Sequence, residues 1–594
     1  MKKILFLAAA AVATGFGLTS CDIDDVTNIT ELSQSTFPAT EEDAEAVLAG
    51  IYQNLNETHA NPQMSYLYLA CLASDDQLGG GGTNDKLMQA EDLMLSSGID
   101  MTNQFYADRY KGVSRANVLI NVLDEVENPT DVQKQALGEA LALRAFYYYE
   151  LASMYGNVPL VRNADEADAK QGDIKTLWGQ ILLDYKRAIE FMGENPRHDG
   201  HLDKYATEAL LCRAWLFYTG MYGNGEDIAS LTSTTYNPLT EVELNDGTKM
   251  TKADVVAYIT DALDTDKHDY DLVDDFRSLW AYSNRCTKRD YTYVKNALPY
   301  AEDDCKINPE SMFAIKFNKQ ASWSTTIGYA NGIALHFGVR AKSEKVDNFP
   351  FGTGWGAGAI AANLVTDWIA TEPNDLRRDA TVHQWSTCSP NHKHDDDYVQ
   401  ATDFFSKKWA PVMSIDDKDN THIFPCFENE MYPGMWETSG EENFQLGNIH
   451  DLILVRYSDV LLMHSELTDG AIIKAYEMSG IDYVRQRAGL PKVKGYSLAV
   501  LQNERRWEFA CEGIRWNDMR RWHIAAAALE KQTDTEVEFC GTPSTNKRQG
   551  VGYTARYNAT AGFAKMPETQ VDLGVVAQNP GWDGADSNYG GWAE

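Results

Sequence analysis

The stretch of sequence that decides the fold is residues 504–522, ERRWEFACEGIRWNDMRRW. Its charged residues alternate in sign at spacings of three and four, which predicts a ladder of ion pairs along one helix. The members of this ladder are Arg505, Arg506, Glu508, Glu512, Arg515, Asp518, Arg520 and Arg521. Because these charges can pair within the fold, the pattern favours a structural role over ligand binding.

Apolar periodicity predicts further helices on both sides of this stretch. One is expected to begin at Thr40, and the clearest runs from about Thr130 to Tyr155, where Gly156 ends it. Towards the C-terminus the pattern predicts helices over 452–467, 471–488 and 498–529. Aromatic residues at helical spacing are assigned to packing, namely Tyr147, Tyr148, Tyr149, Trp215, Trp507 and Trp516.

A partial internal repeat relates two of the predicted helices. RAF at 144–146 recurs as RAW at 213–215, and MYGN at 154–157 recurs unchanged at 221–224. Both offsets are close to twice the period of about 34 residues that tetratricopeptide repeats show. Between them, Trp178, Ile181 and Tyr185 match the spacing of a tetratricopeptide first helix. Together these signals favour stacked helix pairs.

Several blocks resemble the SusD (RagB) family of outer-membrane nutrient-binding lipoproteins. They are EALALRAFYYYEL at 139–151 with YGNVPLV at 155–161, RYSDVLLM at 456–463, VRQRAGLP at 484–491, and the stretch 504–522. The blocks occur in the order that the family shows and span most of the chain. Two departures are Glu466-Leu467-Thr468 in place of the usual AEA, and Cys511 where Phe is commoner.

The resemblance implies a mainly all-α fold in which tetratricopeptide-like helix pairs form a scaffold, with long irregular loops and little β structure. It also implies a glycan ligand and a partner, a TonB-dependent outer-membrane transporter of the SusC type, over which the lipoprotein sits as a lid. The protein itself would bind and not catalyse.

The N-terminus predicts secretion and a lipid anchor. Lys2 and Lys3 precede an apolar run that is too short to span a membrane. Leu18-Thr19-Ser20-Cys21 fits a lipoprotein signal peptidase, with the Cys21 thiol as the lipidation site; the alternative is ordinary cleavage nearby. The acidic cluster at 22–25 then resembles a surface-export signal of Bacteroidetes lipoproteins, so the expected location is the outer surface of the outer membrane.

The chain is expected to divide into three parts. Residues 1–20 are the signal peptide, 21–36 a lipid-anchored tether, and 37–594 a single SusD-like domain. Within that domain we expect an N-terminal helical part at 37–223, a loop-rich ligand-binding part at 224–448, a C-terminal helical part at 449–531 and an irregular tail at 532–594.

The charge balance excludes some partners. The formal net charge is −35, and −37 once Lys2 and Lys3 leave with the signal peptide. Such an acidic protein is repelled by phosphate backbones, so nucleic acid is not an expected partner. The cysteines after Cys21 form no C-x-x-C pair, and the two in helical patterns, Cys212 and Cys511, are expected to be buried thiols.

Sugar sites combine flat aromatic rings with carboxylate or amide side chains, so the candidates are polar loops that carry both. The first loop holds Asp75 and Asp76 before Gly79–Gly82, whose glycines permit close approach of a ligand; a capping or turn role is the alternative. The other predicted glycan contacts are Trp280, Tyr291, Tyr293, Trp323 and Trp355. For Trp355 structural packing is the competing interpretation.

Two other functions compete with glycan capture. The many carboxylates of the chain leave a surface glycoside hydrolase open, although no motif singles out a catalytic pair. A lid for peptide import is the other alternative. No cofactor is expected: residues 392–397, HKHDDD, favour a solvated loop over a metal site, and a structural calcium is left open.

Overall fold

The fold is mainly helical, as predicted. It is given by a computed structural model, which describes residues 40–60, 65–85, 103–163, 166, 169–280, 308–317, 331–340, 351, 354–388, 394–410, 414–415, 421–422, 451–546 and 552–582. None of the helices in these ranges combines the length and the apolar character that a membrane span requires.

The N-terminal part is a stack of packed helices. They are α1 (Glu41–Ala60), α2 (Tyr66–Leu72), α3 (Asn103–Leu123), α4 (Asp131–Tyr155), α5 (Ile174–Phe191) and α6 (Lys204–Met221). Helix α4 lies at the centre, in contact with α1, α3 and α5, and α6 packs on α5. The predicted helix pairs are therefore confirmed, and the six aromatic residues assigned to packing are all buried.

Local sequence explains where these helices begin and end. Thr130 and Gln133 form a capping box at the start of α4, and Gly156 ends that helix with φ of +76°. At the start of α1 the Thr40 hydroxyl accepts a hydrogen bond from the Asp43 amide at 3.1 Å. Both predicted helix starts are confirmed to within one residue.

The two arginines of the internal repeat have equivalent roles. Arg144 on α4 binds Asp184 on α5 at 2.7 Å, and Arg213 on α6 binds Asp459 at 2.7 Å. Both aspartates have fully buried side chains. The repeated arginine therefore stabilises each helix against its neighbour through a buried carboxylate.

The middle of the chain mixes short helices with short antiparallel strand pairs. Its helices are α7 (Ile228–Leu231), α8 (Lys252–Asp261), α9 (Gly332–Phe337), α10 (Ala362–Thr371), α11 (Leu376–Thr381) and α12 (Trp385–Cys388). Its strands are β1 (Glu241–Glu243), β2 (Lys249–Thr251), β3 (Ser311–Ile315), β4 (Val382–Gln384), β5 (Phe404–Ser406), β6 (Ser414–Ile415) and β7 (Thr421–His422). The pairs are β1–β2, β4–β5 and β6–β7.

The C-terminal part is more interrupted than the periodicity predicts. Its strands are β8 (Leu452–Arg456), β9 (Ile472–Ile473), β10 (Met478–Ser479), β11 (Glu536–Phe539) and β12 (Thr542–Thr545). Its helices are α13 (Tyr457–Leu467), α14 (Gly480–Arg487), α15 (Leu498–Glu508), α16 (Arg515–Arg521), α17 (Ala525–Glu530), α18 (Tyr553–Thr560) and α19 (Glu568–Asp572).

Three helix predictions in this part are wrong in extent. Residues 452–456 are a strand that pairs with β3, and the hairpin β9–β10 precedes α14. The helix predicted over 498–529 is three helices, because Cys511 and Gly513 take positive φ angles of +65° and +74° at the first break and His523 takes +59° at the second. The tail is also less irregular than expected, since it holds β11–β12, α18 and α19.

The predicted ladder of charges along one helix is wrong: most charges of residues 504–522 pair with residues elsewhere in the fold, and Arg520 donates to the Ser153 and Ala561 carbonyls. Glu508 is fully buried and accepts hydrogen bonds from arginines of three other elements, Arg377, Arg456 and Arg487. Burial raises the pKa of Glu508, but these guanidinium groups outweigh that effect and hold the pKa well below its usual range. The turn at 509–514 separates α15 from α16, so the stretch is not one helix; across this turn Asp518 pairs with Arg505, and Asp518 also pairs with Arg521.

Asp459 provides a test of this network. Its side chain is fully buried between Arg505, at 2.6 Å, and Arg213. Burial raises its pKa, but Arg505 and Arg213 outweigh that effect and lower the pKa from 3.8 to about 2. Asp459→Asn is expected to lower the free energy of unfolding by about 3–5 kcal/mol at pH 7, because it leaves buried guanidinium charge unpaired.

Since the pKa is depressed in the folded state, the stabilisation by Asp459 is present above pH 4 and is lost as the pH falls towards 2. Urea titrations between pH 7 and pH 2 should therefore show the wild type and Asp459→Asn converging. The exposed pair of Glu241 and Lys249 supplies the control, and Glu241→Gln should change stability far less. A constant difference at all pH values would contradict the assignment.

Candidate functional site

The predicted glycine loop, Gly79–Gly82, lies between two other chain segments. Gly80 forms an antiparallel bridge with Ala357, and Gly82 forms one with Tyr398. Gly80 has φ of +69°, and a Cβ atom there would lie 2.2 Å from the Gly356 carbonyl oxygen. The glycines therefore permit close approach of the backbone to other backbone, and not to a ligand as the sequence suggested.

Asp75 and Asp76 are buried, with 1% of each residue exposed. Arg515 Nε donates to Asp75 Oδ1 at 2.7 Å, and Arg506 Nε donates to Asp76 Oδ1 at 2.8 Å. Burial raises the pKa of Asp75, but Arg506 and Arg515 outweigh that effect and hold it well below its usual range. The prediction that these two residues contact glycan is therefore wrong. Their ion pairs instead hold the segment before the glycine loop against α15 and α16.

Trp280 is also a core residue, and its predicted contact with glycan is corrected in the same way. Only 2% of it is exposed. Its ring meets Trp409 edge-on at 5.4 Å, and Lys408 Nζ lies 4.9 Å from its centroid. A ring enclosed in this way has no face left for a sugar.

Trp355 is half-buried, with its ring 4.4 Å from the His336 ring. Of the four described candidates it alone keeps part of its side chain at the surface, so its contact with glycan stays a prediction. Tyr291, Tyr293 and Trp323 lie outside the described residues, as does Cys21.

The segments around the glycine loop pack against one another, and we call them the loop face because they reach solvent at residues such as Asn84, Asp396 and Asp403. It consists of residues 75–85, 331–340, 354–361 and 394–410 together with the hairpin β11–β12. Arg340 fastens it, with its guanidinium 2.6 Å from Asp397 and 3.2 Å from Asp85. The Ala401–Glu538 bridge joins the hairpin to this surface.

The loop face contains an open cleft of about 640 Å³ between residues 394–403 and the hairpin β11–β12. Its lining is rich in groups that can bind hydroxyls, namely His394, Asp403, Glu536, Glu538, Ser544 and Thr545. Carboxylate and hydroxyl oxygens accept hydrogen bonds from sugar hydroxyls, so the cleft can bind a hydroxyl-rich ligand without any catalytic step.

Two side chains of the cleft are held in place by neighbouring residues. Asp403 Oδ1 accepts the Ser386 amide at 2.7 Å, which fixes the carboxylate at the cleft wall. His394 lies edge-on to Trp385 and Tyr398, and its burial lowers its pKa to about 4. Within the described residues no group of three or more His, Cys, Asp or Glu side chains is arranged to hold a metal ion.

Sequence reasoning missed this cleft because it treated residues 532–594 as an irregular tail. A signal was present: Glu536–Phe539 and Thr542–Thr545 flank the two-residue turn Cys540-Gly541, in which both residues have positive φ. Gly in second place of a two-residue connection suits the positive φ of such a hairpin turn, although Asn, Asp or Gly is the usual first residue.

Comparison with known proteins agrees with this architecture. The model of a family described as starch-binding and associating with the outer membrane matches residues 29–216, and the SusD family model matches residues 369–582. A SusD-like protein, P2, from Formosa agariphila is 21% identical over 509 residues, which cover 82% of this chain and 85% of that protein.

Solved structures share the fold. A laminarin-binding SusD-like protein superposes with a TM-score of 0.65 and 21% identity, covering 91% of this chain and 99% of that one. Surface glycan-binding protein A from Bacteroides thetaiotaomicron, in complex with laminarihexaose, gives a TM-score of 0.61 at 18% identity, with 91% and 99% covered. The helical-repeat fold of this chain is therefore the fold of these SusD-like structures. The chain belongs to the SusD/RagB family.

The glycine loop yields a stability prediction with a matched control. Gly80→Ala should destabilise the protein by more than Gly247→Ala, because both positions have positive φ but only Gly80 faces backbone. The strain at Gly247 alone is expected to cost about 1–2 kcal/mol. Urea unfolding of both variants measures the difference, and equal losses would show that Gly80 is not closely packed.

Trp280 provides a second test. Trp280→Ala should lower the free energy of unfolding by about 3–5 kcal/mol through the cavity it leaves, and Trp280→Phe should recover part of that loss. Chemical denaturation checks this expectation. Unchanged stability of Trp280→Ala together with lost glycan binding would instead support the original prediction of ligand contact.

Proposed function

We propose that the protein is a cell-surface lipoprotein that captures an oligosaccharide or polysaccharide and delivers it to a TonB-dependent transporter of the SusC type. The observation that carries the proposal is the open cleft lined by carboxylate and hydroxyl side chains on the loop face of a SusD/RagB fold. Two solved structures with this fold are named for laminarin binding or contain laminarihexaose.

The charge of the cleft favours a neutral glycan. Asp403, Glu536 and Glu538 line it, and the whole chain is strongly acidic. Carboxylates in the cleft accept hydrogen bonds from neutral sugars, whereas they repel uronic acids and sulfated sugars. Neutral β-glucans such as laminarin are therefore the first ligands to test.

The location and partner belong to the same proposal. Leu18-Thr19-Ser20-Cys21 would supply a lipid anchor on the outer membrane, and the acidic residues after Cys21 would direct the protein to the outer surface. The description of the matching family as associating with the outer membrane supports this location. Delivery to a transporter rests on the family membership.

A surface glycoside hydrolase is the second candidate, because the cleft carries more than one carboxylate. Hydrolysis needs two carboxyl groups placed on either side of a scissile bond. It would shorten the glycan, whereas capture would leave its length unchanged. Peptide import is the third candidate and predicts binding to peptides in place of glycans.

Calorimetry of the mature chain without Cys21, titrated with laminarin, other neutral polysaccharides and alginate, tests the proposal. We expect a neutral glycan to bind with a Kd of about 1 µM to 1 mM, and alginate not to bind. Glu538→Gln should weaken binding about 3- to 10-fold by weakening one hydrogen-bond acceptor. Leu573→Ala, at an exposed position beside α19, is the control and should bind like the wild type.

Chain-length analysis of the glycan after incubation separates the candidates. Binding with unchanged length supports capture. Shortened glycan chains would favour hydrolysis over capture. Binding to peptides, without binding to any glycan, would favour the lid for peptide import.

A further inference from the structure

A small pocket lies where the N-terminal helices meet the C-terminal part. It has a volume of about 70 Å³ and is lined by residues of α2, α4, α6, β8, α13, α15 and α16 and of the turn at 512–514. Its walls combine apolar side chains such as Phe146 and Ile453 with polar ones such as Tyr66, Tyr149 and Asn517. Its lining combines buried residues with half-buried ones such as Leu67, Ile453 and Ile514, and it is separate from the cleft on the loop face.

Two polar atoms in this pocket lack hydrogen-bond partners among the described residues, Tyr66 Oη and Asn517 Oδ1. Each residue is only 7% exposed. The Tyr66 hydroxyl approaches Ser153 without meeting hydrogen-bond geometry, whereas Asn517 Nδ2 donates to the Tyr149 hydroxyl at 2.8 Å. Buried polar atoms are rarely left unsatisfied, so both require a partner inside the pocket.

The charges around the pocket decide what kind of partner it can be. Arg213 is paired with Asp459, and Asp518 is paired with both Arg505 and Arg521. The two remaining acids in the lining, Glu150 and Glu512, are paired with Arg109 and with Arg456 and Lys408. Since these charges compensate one another, the pocket favours a neutral occupant over an ion.

The size of the pocket selects among neutral occupants. A cavity that holds benzene has a volume of about 150 Å³, whereas one water needs only about 10–15 Å³. The volume of about 70 Å³ is therefore too small for a ring-sized organic molecule and large enough for several waters.

We propose that this pocket is a hydration site whose ordered waters bind Tyr66 Oη and Asn517 Oδ1. These waters join α2 to α16, which are elements from opposite ends of the chain. The site is independent of glycan capture, because neither residue belongs to the loop face.

The sign of one stability change tests the proposal. If water satisfies the Tyr66 hydroxyl, Tyr66→Phe removes a hydrogen bond and lowers Tm by about 1–3 °C. In a dry pocket the same substitution removes an unsatisfied group and raises Tm. Tyr147→Phe is the matched control, because the Tyr147 hydroxyl donates directly to the Ile51 carbonyl at 2.7 Å and its loss lowers Tm in either case.

A high-resolution crystal structure of the wild-type protein provides a second, independent measurement. We expect density for water within hydrogen-bond distance of Tyr66 Oη and Asn517 Oδ1, and its partial loss in Tyr66→Phe. A rise in Tm for Tyr66→Phe overturns the proposal. So does a pocket without density at a resolution that shows other buried waters.

Discussion

The buried carboxylate of Glu508 is the interaction on which the C-terminal part of the structure depends. Its two oxygens accept from Arg377 on α11, Arg456 at the end of β8 and Arg487 on α14. A lone carboxylate in that position would be prohibitively costly, so these three elements must converge on the end of α15. The position of β8 then fixes β3, with which it pairs, and the same α15 carries Arg505 and Arg506 towards other buried acids.

Sequence patterns were sufficient for the elements that depend on neighbours in the chain. The capping box of Thr130, the stop at Gly156 and the buried aromatic faces of α4 and α6 are local signals, and the structure contains them. Periodicity failed where a few residues interrupt it. Cys511 and Gly513 break one predicted helix with positive φ angles, and residues 452–456 became a strand because β3 supplies a partner.

The candidate site was harder to predict, because its polar loops have the same composition whether they face ligand or core. Asp75 and Asp76 have the composition of sugar contacts, but their partners Arg515 and Arg506 lie 440 and 430 residues further along the chain. No local pattern reveals such a pairing. The cleft itself is built from residues 394–403 and the hairpin β11–β12, whose proximity only the folded chain creates.

The pairing of Asp75 and Asp76 with α15 and α16 has a consequence for how the molecule folds. The two acids lie near the start of the chain, whereas their arginine partners lie near its end and are synthesised last. Until then the N-terminal helices can stack, but the loop after α2 has no compensating charge for its two acids and cannot be buried. Closure of such a long loop is slow, so completion of the core is a late event. A chain truncated before residue 506 would leave Asp75 and Asp76 without their arginine partners. The N-terminal helices are therefore a poor candidate for a domain that folds independently.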